Sequence, residues 1–189
     1  DVARQSFQTT TNMGLPAMWG GTTPDYGMDP DVVGPGDRYN GKYRDSITND
    51  LRAIPTLSMV SDHDSFWHPS TGIYVDATRS GIGWEREASV ELFNGDNTSE
   101  FQINCSVQMQ GNASRDNQRT PKHAFGLIFN SDFGPAKLRH DWFGGGVETH
   151  DKIVLRGCGF VDGWAGRYAD NGLYTNAVTG EVFRGLRYR

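Results

Sequence analysis

The chain has 189 residues, enough for one domain with an arm and tight for two. Lys plus Arg number 18 against 23 Asp plus Glu, a formal charge of −5, which argues against a broad basic surface for nucleic acid. Apolar runs end after a few residues, so no membrane span is expected, and 24 glycines with 8 prolines favour strands, turns and irregular loops over long helices.

Residues 1–50 read as an extended N-terminal arm packed on a β-rich body over 51–189. Turn and breaker residues recur through Leu15–Gly21 and Met28–Gly36, while scattered Met, Trp and Tyr supply surface to pack. Chain start Asp1 carries no Met and no signal-like stretch, and the expectation is a mature or trimmed piece of something longer. Asp45–Ala53 predicts a turn or two of helix with Ser46 or Thr48 as the cap. Ile54–Ser61 reads as a strand, with Pro55 tolerated near its start, and Thr71–Val75 as a short β-rich piece. Ala88–Phe93 alternates and is followed by the turn Asn94–Asn97. Phe101–Gln110 is the clearest strand: apolar and polar residues alternate throughout, so one face is buried and one is wet. Ala124–Phe129 and Lys152–Arg156 are further strands, and Gly172–Arg189 reads as one hairpin with a basic finish. The fold expected is α+β and strand-rich, a mostly antiparallel twisted sheet with few short helices. Cys105 and Cys158 leave both a disulfide and two buried thiols open.

Three motifs are set aside. Asp132-Phe133-Gly134 spells a kinase metal-binding triplet, but Arg139-His140-Asp141 follows it in the wrong order, and Asn130–Pro135 fits a turn better. Gly157–Asp162 nearly spells a dinucleotide fingerprint, with Asp162 where the third glycine belongs. Asn97, Asn104 and Asn112 begin glycosylation-type triplets at near-chance frequency.

Two constellations remain. Asp62-His63-Asp64 precedes Ser65–His68; Asp62, Asp64 and a nearby carbonyl are a candidate site for a hard cation such as calcium, against the plainer reading of an Asx turn with Phe66 and Trp67 as core plugs. Gly111-Asn112-Ala113-Ser114-Arg115 leads through Arg119 and Lys122 into the next strand. Small residues and cations at a hairpin-like connection can hold phosphate oxygens, Ser114, Arg115, Arg119 and Lys122 being the candidates, against a solvated basic turn. Glu85-Arg86-Glu87 reads as an ion-paired start to a strand.

The order of Ile54–Ser58, Gly72–Val75, Trp84–Leu92, Gly111–Arg115, Pro121–Phe125, Phe133–Leu138 and Ile153–Arg156 resembles the N-terminal portion of the spore-coat protein H (CotH) kinase-like family, over roughly residues 15–160. The resemblance implies the front part of an atypical kinase-like fold, ATP with a divalent metal, and phosphoryl transfer to secreted or surface proteins in an extracytoplasmic bacterial setting. It implies a nucleotide-phosphate role for Lys122 with Arg115 in support, and as partners the remainder of a kinase-like domain or neighbouring modules of a longer protein. Nothing in Gly159–Arg189 matches the family's metal-binding and catalytic carboxylates, so the expectation is a front fragment or a divergent relative without catalytic power of its own. The competing expectation is a non-enzymatic β module for adhesion or glycan binding, with Trp19, Trp67, Trp142 and Trp164 stacking on sugars.

Overall fold

A computed structural model describes residues 15–18, 37–117, 123–142 and 146–155. Most of the expected arm, Arg119, Lys122, Cys158, Trp19, Trp164, the Gly157–Asp162 motif and the expected C-terminal hairpin lie outside the described residues.

The elements run α1 (Ile47–Arg52), β1 (Thr56–Val60), α2 (His63–Trp67), a 3-10 turn (Ile82–Trp84), β2 (Arg86–Phe93), β3 (Ser99–Gln110), a second 3-10 turn (Ala113–Arg115), β4 (Ala124–Ile128), β5 (Leu138–Arg139), β6 (Thr149–His150) and β7 (Lys152–Leu155). Five of the strands form one sheet in the order β1-β2-β3-β4-β7, and every neighbouring pair in it is antiparallel. Strands β5 and β6 make a separate two-stranded hairpin inserted before β7. The strand-rich, mostly antiparallel architecture is therefore as the alternation dictates. Among the described residues no helix is long and apolar enough to cross a membrane.

Period-2 alternation decides the faces. Register sets Ala88 against Cys105, Val90 against Ile103, Val107 against Leu127 and Met109 against Phe125, so these residues share one face. That face is the core: Val90, Cys105, Val107 and Leu127 have no measurable exposure. The opposite face carries Gln102, Asn104, Ser106, Gln108 and Gln110 of β3. Most of it is wet, as the sequence requires. Ser106 is the exception, buried with its hydroxyl donating to Glu85 Oε2 at 2.7 Å.

The core face is closed by the stretch from α2 to the first 3-10 turn, which packs Phe66, Ile73, Tyr74, Ala77 and Trp84 onto it. Thr71–Val75 is not a strand here. Its N–H groups turn back onto the chain just before it: Gly72 N donates to His68 O, Ile73 N to Ser65 O and Tyr74 N to Phe66 O at 2.8–3.1 Å. A β-rich composition yields here to these local bonds. Arg86 holds the same stretch in place. Its guanidinium donates to the carbonyls of Thr71 (2.6 Å), Glu85 (2.8 Å) and Gly83 (3.1 Å), and it lies 5.5 Å from the Trp84 ring centroid. Arg86 thus serves backbone carbonyls, and the expected ion pair with its glutamate neighbours gives way to this clamp.

The helix α1 sits where capping residues predicted it. Ser46 occupies the N-cap position, but its hydroxyl donates to the Asp50 carboxylate instead of capping a backbone N–H. Asn130–Pro135 is a turn, as expected: Gly134 N donates to Asn130 O, and Asp132 N to Asn130 Oδ1 at 3.1 Å. The turn brings Gly134 so close to β3 that a Cβ there would lie 2.4 Å from Asn104 O.

Cys105 is a free, fully buried thiol on the core face of β3. Burial pushes its pKa up to about 11. Because the thiolate is the reactive form, iodoacetamide at pH 8 is expected to leave Cys105 unmodified in the native protein and to label it in urea. Peptide mapping by mass spectrometry reads this, and rapid native labelling of Cys105 would contradict the packing.

Candidate functional site

The described part of the connection from β3 to β4 is held by a set of polar contacts. Strand β3 ends at Gln110, and Gly111 takes φ +119, a conformation that side-chain-bearing residues rarely adopt. The chain then winds through the 3-10 turn, with Arg115 N donating to Asn112 O at 3.0 Å and Asp116 N to Ala113 O at 3.3 Å. Ser114 folds back over the glycine: a Cβ on Gly111 would lie 2.2 Å from Ser114 Oγ.

Three side chains pin this turn to the segment that covers the core. Arg115 Nη1 donates to Arg79 O at 3.0 Å, and Asn117 Nδ2 donates to Val75 O at 3.0 Å. His123, at the start of β4, is buried. Its backbone N–H donates to the Tyr74 hydroxyl at 3.3 Å. Its Nδ1 lies 3.3 Å from Ser114 O and its Nε2 lies 2.5 Å from Asn117 Oδ1. Beneath it, Tyr74 packs on the His123 ring at 4.9 Å, on Trp67 at 4.8 Å and on Phe125 at 5.9 Å. Burial lowers the pKa of His123, against the opposing pull of the Ser114 carbonyl and the Asp116 charge. Burial raises that of Tyr74, only partly offset by the bond from His123 N.

The sequence candidates are thus divided. Ser114 and Arg115 stand together in the turn; Arg119 and Lys122 lie outside the described residues. Arg115 has five N–H donors. One serves Arg79 O, and its buried Nε has no hydrogen-bond partner among the described residues. The Nε is buried and turned from solvent; a guanidinium beside a hydroxyl and a glycine turn is the chemistry that holds anionic oxygens such as phosphate. Arg79 meets the turn through its carbonyl, while its guanidinium lies 5.8 Å from the Trp84 ring centroid.

The acidic candidates serve a different purpose. Asp62 caps the short helix α2: its Oδ1 accepts from Asp64 N at 2.9 Å, and its carbonyl accepts from Ser65 N. Asp64 is exposed and its carboxylate faces His63 Nδ1 at 3.3 Å. Calcium takes about six to eight oxygens. Among the described residues no three His, Cys, Asp or Glu side chains gather to hold a metal.

Sequence reasoning missed His123, Asn117, Tyr74 and Arg79. A usable signal existed for the first. His123 lies in phase with Phe125, Leu127 and Phe129, the inward set of β4, so period 2 alone turns it toward the core. The other three are joined to the turn by carbonyls and a hydroxyl about 40 residues away in sequence, as in the Arg115–Arg79 and Asn117–Val75 bonds, which no local pattern reports. Of the aromatics proposed for sugars, Trp67 packs on Tyr74, and Trp142 stands edge-on to Phe101 and His140. Both belong to the packing of the body. Compared with family models, curated proteins and solved structures, the chain matches none.

Proposed function

We propose that this chain is the strand-rich, nucleotide-facing portion of a CotH-like, kinase-like protein of an extracytoplasmic bacterial setting, and that the connection between β3 and β4 holds the phosphates of ATP. The observation that carries the reading is the turn itself. A glycine at φ +119 shapes it, side chains from both flanks pin it, and it presents Ser114 with the Arg115 guanidinium. Lys122, five residues beyond Asn117 in the same connection, supplies the phosphate-seeking point charge that the family resemblance implies. The hydroxyl and cations would bind and orient the phosphates; ATP supplies the transferable phosphoryl group when bound. The remainder of a kinase-like domain is the partner this reading calls for.

Calorimetric titration with ATP and magnesium tests it. Binding is expected, with adenosine binding much more weakly because the recognised part is the phosphate chain. Lys122→Ala is expected to weaken ATP at least tenfold, as a lost charge-assisted contact contributes about 1.5–3 kcal/mol. No heat and no amide shift in the turn with ATP at millimolar concentration would overturn the reading.

A further inference from the structure

Both ring nitrogens of His123 face acceptors. Ser114 O is a carbonyl and can only accept. Asn117 also presents its oxygen, because its amide nitrogen is committed to the Val75 carbonyl at 3.0 Å and rotating the amide would set oxygen against oxygen there. A neutral imidazole carries one N–H, and only the imidazolium carries two. The arrangement of 3.3 Å to Ser114 O and 2.5 Å to Asn117 Oδ1 is therefore fully satisfied only when His123 is protonated. Asp116, beside Asn117 and two residues after Ser114, bears on the ring as a charge, and Tyr74 faces it from the segment covering the core.

We propose that His123 is the positioning residue of the Gly111–Asn117 turn and acts as a proton-dependent clamp: the imidazolium ties Ser114 to Asn117, and the neutral ring must release one of them. The clamp stands on this geometry alone. Its effect on ligand binding rests on the ATP reading: the tied turn is the binding-competent one, so ATP binding takes up a proton and tightens as pH falls, by up to about tenfold per pH unit.

Stability runs the other way. Burial holds the ring below the ordinary histidine value of about 6.5. The native state therefore binds fewer protons than the unfolded chain. The contribution of His123 to stability is complete above about pH 6.5 and is lost as pH falls toward the lower native value. Opposite pH slopes for unliganded stability and for ATP affinity are a signature that a merely space-filling histidine does not produce.

The test needs no ligand at first. In the full chain, nitrogen-15 spectra of the His123 ring and of the Ser114 and Asn117 amides are followed from pH 8 to pH 5. The ring is expected to pass from one neutral tautomer to the imidazolium, with the Ser114 amide and the Asn117 side-chain amide moving at the same midpoint. His123→Gln, whose amide can donate but does not titrate, is expected to abolish that midpoint in the turn. A ring that stays neutral to pH 5, or one that titrates while the turn amides stay still, would overturn the clamp. Calorimetry with ATP in two buffers of different ionisation enthalpy then reads the proton uptake; binding without buffer dependence would overturn the link to the ligand. Absence of ATP binding would count against the nucleotide reading, while the ligand-free titration still decides the clamp.

Discussion

Gly72→Ala is expected to destabilise the fold by about 3 kcal/mol or more. The added Cβ would lie 2.4 Å from Phe66 O and 2.7 Å from both His68 N and His68 O. All three are backbone atoms, so no side chain can swing aside to make room. They are also held: Gly72 N donates to His68 O at 2.8 Å, and Tyr74 N donates to Phe66 O at 3.1 Å. The strain has to move α2 away from the sheet, and Phe66 and Ile73 with it, both of which pack on the core. Urea unfolding monitored by tryptophan fluorescence measures the loss, and a drop of roughly 10 °C in Tm is the thermal counterpart. A loss below about 1 kcal/mol would mean that α2 does not rest on the Gly72 backbone.

Gly111→Ala is expected to separate binding from folding. The φ of +119 is strained for any residue with a Cβ, at a cost of about 1–3 kcal/mol. The close approach to Ser114 Oγ adds less, because a hydroxyl can rotate away. The turn relieves the strain by changing its backbone path. The sheet, whose β3–β4 register ends one residue earlier at Gln110 and Ala124, remains paired. ATP affinity is therefore expected to fall at least tenfold while the variant still melts cooperatively, within several degrees of the parent. Calorimetry and a thermal melt on the same preparation check both halves. Unchanged affinity would place the phosphates elsewhere on the molecule.

The two variants mark where local pattern and long-range contact divide the work. Alternation in Phe101–Gln110 was legible because a half-buried strand repeats every second residue, and it placed Cys105, Val107 and Met109 inward without reference to any partner. The same period carried β2 and β4. Strands β5 and β6 were not legible, since two residues each leave no period to read. The helix α2 was hidden by its length: five residues cannot show a 3.6-residue period, and only Asp62 as its cap signals it.

Residue chemistry left two candidate segments, Asp62–Asp64 and Gly111–Lys122, each beside a plainer structural reading. Which of those groups are available to a ligand depended on the fold. Arg86 and Arg115 look alike in the chain. One is used by three carbonyls and packs on Trp84; the other donates to one, Arg79 O. Asp62 and Asp64 look alike in the chain, and the fold makes the first a helix cap. Composition and period thus settled the antiparallel sheet and its inward face, since both follow from the geometry of neighbouring residues. Folding settled the partners of His123, Arg115 and Asp62, since a hydrogen bond depends on what the chain brings within about 3 Å, not on what lies beside it in sequence.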